Sequence, residues 1–396
     1  MSYLDRASHL DRRQVLRIFG AIAAAGATGA AASCTSEPGG TAMEVPSGRT
    51  ISVGLISPAL GPYAKVGDDI QKGFKLYLED HDYLLGRHHV DLKTAEEGAT
   101  PQSASAAAKG LLKPGVIALA GVANPASLTA IAAAVQAAKI PLISSNASPS
   151  TLTSAFFIWR ASHVEGEAGR ALAPYARAEG ANAFVLYEDT PTSREEASGF
   201  KKAFVDLGGR VAGEVTGKGS FAARLQQARS AGANVIFAAY TGADALALLE
   251  AYQASGLDAK LLGPGTLTET VDLSKLTALP KSVYTAMYYA ADLDNEENRR
   301  FVSSYHKAHG VQPSGFAMAA HDSAAVLDKA LRLIDGEPTA TALNQAFSLL
   351  GQIDSPRGSW TFNINRTPQQ KWYLRKLRRD GQVPANLLDT DLAVLS

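Results

Sequence analysis

ISVGLIS (51–57) is an uncharged run of aliphatic and β-branched residues. Ile70–His81 follows as an amphipathic stretch with Ile70, Phe74, Tyr77 and Leu78 on one face. A buried strand leading into a helix, repeated along a chain, is the pattern of a parallel sheet with crossover helices. The repeats follow. HVDLKTAEE (89–97) alternates as a strand, Thr100-Pro101 caps a helix to about Leu112, VIALAG (116–121) is a strand, Ala126–Ala138 a helix and IPLISS (140–145) a strand. A second series begins near Glu165: helix 165–179, strand AFVLYE (183–188), helix 194–207, strand 210–216, helix 221–231, strand NVIFAAY (234–240), helix 243–255 and strand 260–263. Past residue 280 the order changes to a strand SVYTAMYY (282–289), helices at 295–309, 314–335 and 339–350, and strand-like pieces at 358–364 and 370–377. The chain is therefore α/β, with two units of similar build.

The first 34 residues carry a different kind of information. Arg12-Arg13, a weakly apolar run from Ile18 to Ala32 and then Cys34, the one cysteine of 396 residues, have the layout of an export signal. The segment resembles a twin-arginine lipoprotein leader, with 1–33 removed and Cys34 lipidated, although Val15 and Ala31 depart from the preferred Phe and Leu. Ordinary cleavage after the alanines at 30–32 is the alternative. Residues 34–49, rich in Gly, Pro, Ser and Thr, read as a flexible tether.

Residues 1–33 hold four basic side chains (Arg6, Arg12, Arg13, Arg17) and two acidic ones (Asp5, Asp11). The rest carries 34 basic and 36 acidic residues out of 38 of each, a net of −2. That balance gives nothing to attract nucleic acid. No later stretch reaches the ~18 apolar residues of a membrane span. A single cysteine excludes an internal disulfide, and about 360 residues suit two domains.

Catalytic and cofactor patterns are missing. Gly263-Pro264-Gly265 lacks the third glycine of a dinucleotide turn, and neither a P-loop nor G-x-S-x-G occurs. The spacing of His81, Asp82, His88, His89 and Asp91 fits no metal motif, so no metal or other cofactor is expected. The pairs Glu96-Glu97 and Glu195-Glu196 read as solvated surface. Lys371, Arg375, Lys376, Arg378 and Arg379, interleaved with Trp372, Tyr373, Leu374 and Leu377, read as a strand with one polar face, open to a lipid or permease contact.

GLISPALGPYAKVGDDIQKGFKLYLED (54–80) resembles the opening of the type I periplasmic binding proteins, the leucine/isoleucine/valine-binding family of ABC importers. ALAGVANPASLTAIAAAVQAAKIPLISSNAS (118–148) is similar to that family's next landmark, and FFIWRASHVEGEAG (156–169) to its crossover into a second lobe. GFKKAFVDLGGRV (199–211), ANVIFAAYTGADALALLEAYQASGL (233–257) and LLGPGTL (261–267) resemble the body of that lobe. NRRFVSSYHKAHGVQPSGFAMAAHDSAAVLDKAL (298–331) resembles the return to the first lobe and SPRGSWTFNIN (355–365) the last crossover. The resemblance implies two Rossmann-like lobes, parallel-sheet three-layer sandwiches, joined by three hinge crossovers. Lobe one is expected at 50–165 plus 287–352 and lobe two at 166–286 plus 353–396. It further implies a non-enzymatic, extracytoplasmic monomer tethered through Cys34, which passes a small ligand to ABC permease subunits. A signalling partner in place of the permease is one alternative. An exported hydrolase using Ser148 with His163 is another.

The resemblance also assigns positions. Asn146 and Ser148 fall where the family contacts a ligand carboxylate, and Asn124 and Ser127 lie at a helix N-terminus suited to an anion, with simple capping as the alternative for these two. The family's amine-holding acid falls at Gly265, beside Thr266, and its pocket tyrosines fall at Val66, Thr192 and Thr241, with Tyr63 and Tyr240 close by. Either Glu188, Asp189, Asp244 or Glu269 holds an amine, or the ligand is an aromatic or aliphatic carboxylate gripped between Tyr63 and Tyr240.

Overall fold

Thr50–Ser57 (β1) is buried from Val53 onward because strands β3 and β4 flank it and helices cover both faces of its sheet. The computed structural model describes residues 48–395 except Pro114, Ser154 and Lys218. The leader at 1–33, Cys34 and the tether up to residue 47 lie outside the described residues. After β1 come α1 (Ala64–Asp80), β2 (Leu84–Leu85), β3 (His88–Glu96), α2 (Pro101–Leu111), β4 (Val116–Gly121), α3 (Pro125–Ala138), β5 (Leu142–Ser144) and β6 (Ile158–Arg160). They form a six-stranded sheet in the order β2-β3-β1-β4-β5-β6, parallel except for the short β2–β3 pair.

The second sheet is built from β7 (Asn182–Tyr187), β8 (Arg210–Thr216), β9 (Val235–Ala239), β10 (Lys260–Pro264) and β11 (Val283–Met287). Between them lie α5 (Pro191–Asp206), α6 (Phe221–Ser230), α7 (Gly242–Ser255) and the single turn α8 (Thr266–Glu269), with α4 (Glu167–Glu179) ahead of β7. The chain then returns to the first lobe. Of α9 (Glu296–His309), α10 (Gly315–Leu331) and α11 (Ala340–Phe347), α10 lies so close to α1 that a Cβ on Gly73 would stand 1.9 Å from the Ala317 carbonyl oxygen. Tyr77 on α1 also donates to Asp328 on α10 at 3.0 Å. The last strands, β12 (Thr361–Phe362), β13 (Pro368–Asp380) and β14 (Val383–Leu395), complete the second sheet as β12-β13-β11-β10-β9-β7-β8, with β14 paired to β13.

Two expectations need correction here. Helix α1 starts at Ala64 rather than Ile70, more than one and a half turns earlier. The basic strand is not one polar and one apolar face: β13 carries register shifts at Trp372/Tyr373 and Leu374/Arg375, which turn Arg375 inward and leave it buried.

Three segments cross between the lobes: one after β6, one after β11 and one at 353–367. Arg357 on the third touches the other two. Its guanidinium pairs with Asp322 of α10 (2.9 and 2.6 Å), donates to the carbonyls of Ala161 and Ser162 on the first, and stacks 5.2 Å from the Tyr288 ring on the second. Both members of the pair are buried, and Ser355 and Trp360 add donors to the same Asp322 oxygen. Arg160 ties the first crossover to the third through the Asn365 carbonyl at 2.9 Å.

Candidate functional site

The loops at the carboxyl ends of β1, β4 and β5 face those after β7, β9 and β10, the place where open α/β sheets gather ligands. Tyr63 ends the β1 loop just ahead of α1. Its phenol oxygen faces Thr192 of α5, on the other lobe, and lies among the carboxylates of Glu165, Glu188 and Glu97. Burial first, and then those charges, push its pKa well up, so it stays a neutral donor.

The wall on the first lobe is a set of backbone bonds continuing beyond the strands. Ser145 N donates to Gly121 O (2.7 Å), Ala147 N to Val122 O (3.1 Å) and Glu165 N to Ser148 O (2.9 Å), while Ser162 Oγ donates to Asn146 O (3.0 Å). Residues 144–148 and 160–165 therefore run side by side. Val122, held by Ile56 O at 2.8 Å, sits at φ +65, a conformation costing a β-branched residue about 1–3 kcal/mol. On this wall the Ser148 hydroxyl and Asn146 Oδ1 are buried without a partner, although Asn146 Nδ2 donates to Ala123 O at 2.6 Å. The Ser127 hydroxyl is buried beside the Glu97 carboxylate but outside bonding geometry.

The start of α3 is not open to an external anion. Glu97 already occupies it, accepting from Ala123 N (2.8 Å) and Asn124 N (2.9 Å), and the Asn124 side chain accepts from Ala126 N at 3.0 Å. Asn124 thus serves as a helix cap. Glu96-Glu97 and Glu195-Glu196 also need correction. Glu97 and Glu196 are buried while Glu96 is exposed and Glu195 half-buried, because neighbouring side chains diverge and one of each pair turns inward onto backbone amides. Glu196 accepts from Gly166 N (3.0 Å) and Gly169 N (2.9 Å), and burial pushes its pKa up to about 7.

On the second lobe, Glu188 accepts from Thr241 N (2.6 Å) and Thr241 Oγ1 (3.2 Å). Tyr240 is fully buried, its hydroxyl bonded to Arg224 at 2.7 Å and Gly217 O at 3.2 Å, so it cannot close on a ring opposite Tyr63. A Cβ on Gly265 would stand 2.5 Å from Met287 Sδ and 2.9 Å from Arg375 Nη2, so that position is closed to a longer side chain. Thr266, next to it, is half-buried and accepts from Thr270 Oγ1 through its carbonyl at 2.6 Å. Glu269 is neutralised by Arg375 and accepts from Gly315 N at 3.1 Å, and Asp189 pairs with Arg194. Asp244 lies in the first turn of α7.

The first crossover contributes a corner that the sequence did not reveal. Donor atoms of His163, Glu165 and Glu196 all lie within 4.8 Å of one another. The His163 ring stacks on Tyr288 (5.6 Å between centroids, 25° between planes) and its Nδ1 is buried without a partner. Burial, with Arg357 adding to it, lowers its pKa to about 4. Since Ser148 Oγ and His163 Nδ1 are both unpartnered, they are not bonded to each other, and the nucleophile–base pair of a hydrolase is not assembled.

The site's position and the two-sheet topology agree with the chain's relatives. The family model for periplasmic binding proteins matches residues 50–382. A Leu/Ile/Val-binding protein homolog of Brucella melitensis is 27% identical over 343 residues, covering 83% of this chain and 88% of the relative. A solute-binding protein of an ABC transporter from R. palustris, solved in complex with benzoate, superposes with a TM-score of 0.77 at 27% identity, covering 87% of this chain and 98% of that one. A leucine-binding protein from Thermotoga maritima shares the fold, with a TM-score of 0.74 at 18% identity over 85% of this chain and 99% of that one. With crossovers, sheet order and matched span in agreement, the chain belongs to the type I periplasmic binding proteins, in the leucine/isoleucine/valine-binding family, and is a solute-binding receptor rather than an enzyme.

Proposed function

We propose that the chain is the extracytoplasmic receptor of an ABC importer and captures a small carboxylate-bearing metabolite, an amino acid or an aromatic or aliphatic acid, between lobes bounded at 50–165 plus 287–352 and 166–286 plus 353–396. The observation that carries this is the buried, unpartnered Ser148 hydroxyl on the first lobe, beside the unpartnered Asn146 Oδ1, on the side of the cleft that Tyr63 and Thr192 close. Buried polar groups are ordinarily paired, and hydroxyls left without partners suit a carboxylate arriving from outside. Related solute-binding proteins hold benzoate or are named for branched-chain amino acids, which supports a ligand of this size.

Enclosure fits the energetics. A micromolar ligand of about ten heavy atoms needs about 0.8 kcal/mol from each, which demands nearly complete burial between two closing lobes. Among the described residues no helix is long and apolar enough to cross a membrane. We place attachment at Cys34, where two acyl chains give stable anchoring, and a monomer facing the permease. A thermal-shift screen over amino acids, benzoates, dicarboxylates and short peptides tests the reading. A ligand at ~100 times its Kd adds about 2.7 kcal/mol of stability. Silence across the whole panel overturns it.

A further inference from the structure

The cleft's carboxylates are unequal in what holds them. Glu97 has the amides of Ala123 and Asn124, Glu188 has the amide and hydroxyl of Thr241, Glu196 has two glycine amides, and Glu269 has Arg375 and the Gly315 amide. Glu165 is buried like them, yet its carboxyl group has one backbone amide, that of Ser148, with the neutral Tyr63 phenol nearby and only acids among the charges named as acting on it. Around it stand further acceptors. His163 and Glu196 present a ring nitrogen and a carboxylate oxygen within 4.8 Å, and on the adjoining segment Asn146 Oδ1 is buried with nothing to accept from. Burial, then Glu196 and Glu195, hold the Glu165 carboxyl well above the ordinary range, the behaviour of an acid that has no cation beside it.

A crowd of buried acceptors calls for a donor-rich cation, and a primary ammonium offers three N–H bonds. We propose that Glu165 is the specificity-determining residue that holds a protonated amine of the solute, with His163 Nδ1 and Asn146 Oδ1 accepting its other protons. The solute is then a zwitterionic amino acid or a similar ammonium-bearing acid, its carboxylate toward the Ser148 hydroxyl. This rests on the receptor reading above. It puts the ammonium on the first crossover and away from position 265, where Met287 and Arg375 fill the space. A hinge segment that binds solute charge also makes capture and lobe closure one event, since residues 160–165 are among those that must turn when the lobes move.

The test is titration calorimetry on the purified chain and its Glu165→Gln variant. The probes are the twenty common L-amino acids, the des-amino partners of those that bind (4-methylpentanoate for leucine, 3-phenylpropionate for phenylalanine), benzoate and 4-hydroxybenzoate. The expected result is that an amino acid binds roughly 100-fold more tightly than its des-amino partner. In Glu165→Gln that advantage is lost while the des-amino partner's own affinity stays put. A merely structural role for Glu165 would weaken both alike. Benzoate or a des-amino acid binding as tightly as any amino acid, with Glu165→Gln indifferent or tighter, overturns the inference and leaves the receptor reading standing. Loss of binding on adding EDTA, with a stoichiometric divalent metal recovered from the protein, overturns it in favour of an ion bound by His163, Glu165 and Glu196. If no probe binds either protein, this inference falls, and the receptor reading falls with it only when the dicarboxylates and short peptides of the thermal-shift panel are silent too.

Discussion

The two walls of the cleft are finished to different degrees. On the second lobe Glu188 is answered by Thr241, Tyr240 by Arg224 and Gly217, and Glu269 by Arg375 and Gly315. On the first lobe and the crossover beside it, Ser148, Asn146 and His163 have buried atoms with no partner. A wall that satisfies itself contributes shape and stability, whereas one with unmet groups contributes affinity, because only a ligand completes it. On the receptor reading proposed above, the first lobe is then the receiving surface and the second the lid.

That contrast can be broken by mutation. The largest effect is expected from Glu269→Ala, which leaves the Arg375 guanidinium buried and unpaired and should cost about 3–5 kcal/mol in urea unfolding. A loss under 1 kcal/mol would show that this wall is not self-sufficient. Next comes Glu196. Its folded pKa of about 7 lies above the unfolded 4.5, so the native state keeps a proton that the unfolded chain releases. Its stabilising contribution is complete below about pH 4.5 and is lost as pH rises to about 7, on the order of 2–3 kcal/mol in all. Thermal denaturation across that window should be flatter in Glu196→Gln, and an equal slope would assign the proton elsewhere.

Ser148→Ala sharpens the contrast from the other side. Ligand affinity should fall by about 1–3 kcal/mol while the free protein is as stable as before or slightly more so, since the lost hydroxyl had no partner to lose. The smallest change belongs to Tyr240→Phe, which removes a bond inside the second lobe. About 0.5–1.5 kcal/mol of stability should go, with affinity unmoved. Weakened binding in this variant would return Tyr240 to the site.

Much of the architecture was legible because buried parallel strands leave a strong pattern. Strand 210–216 was read with the bounds that Arg210–Thr216 has in the structure, and helix 243–255 differs from Gly242–Ser255 by one residue. Local rules failed where distant contacts decide. Gly67 and Gly73 weaken the helical signal at the start of α1, yet Gly73 is needed for the approach of α10, more than 240 residues later. Strand β14 went unread because VPANLLDTDLAVL mixes Pro, Asp and Thr into a half-exposed edge that only β13 supports.

The site was less readable than the fold. Strand ends placed the polar loops and the resemblance the positions on them, and so Tyr63, Asn146, Ser148 and Thr192 were read as candidates. Glu97 and Glu196 were not, since the glycine and loop amides that welcome them inward become neighbours only after folding. Glu165 gave one local hint, its position in HVEGEAG between a histidine and a glycine with φ +87. No spacing rule ties it to Glu196, which arrives on a different helix.

Arg357 binds carbonyls at Ala161 and Ser162, 196 and 195 residues upstream, as well as a carboxylate on α10. A polypeptide made from its N-terminus has the whole first sheet and five strands of the second in hand before that guanidinium exists, and domains tend to fold as they emerge. The crossing strands are therefore knotted together late in synthesis. A product cut short before Arg357 would lack β12–β14 together with the fastener that sets the lobes' mutual angle, so a segment made late governs how what precedes it swings.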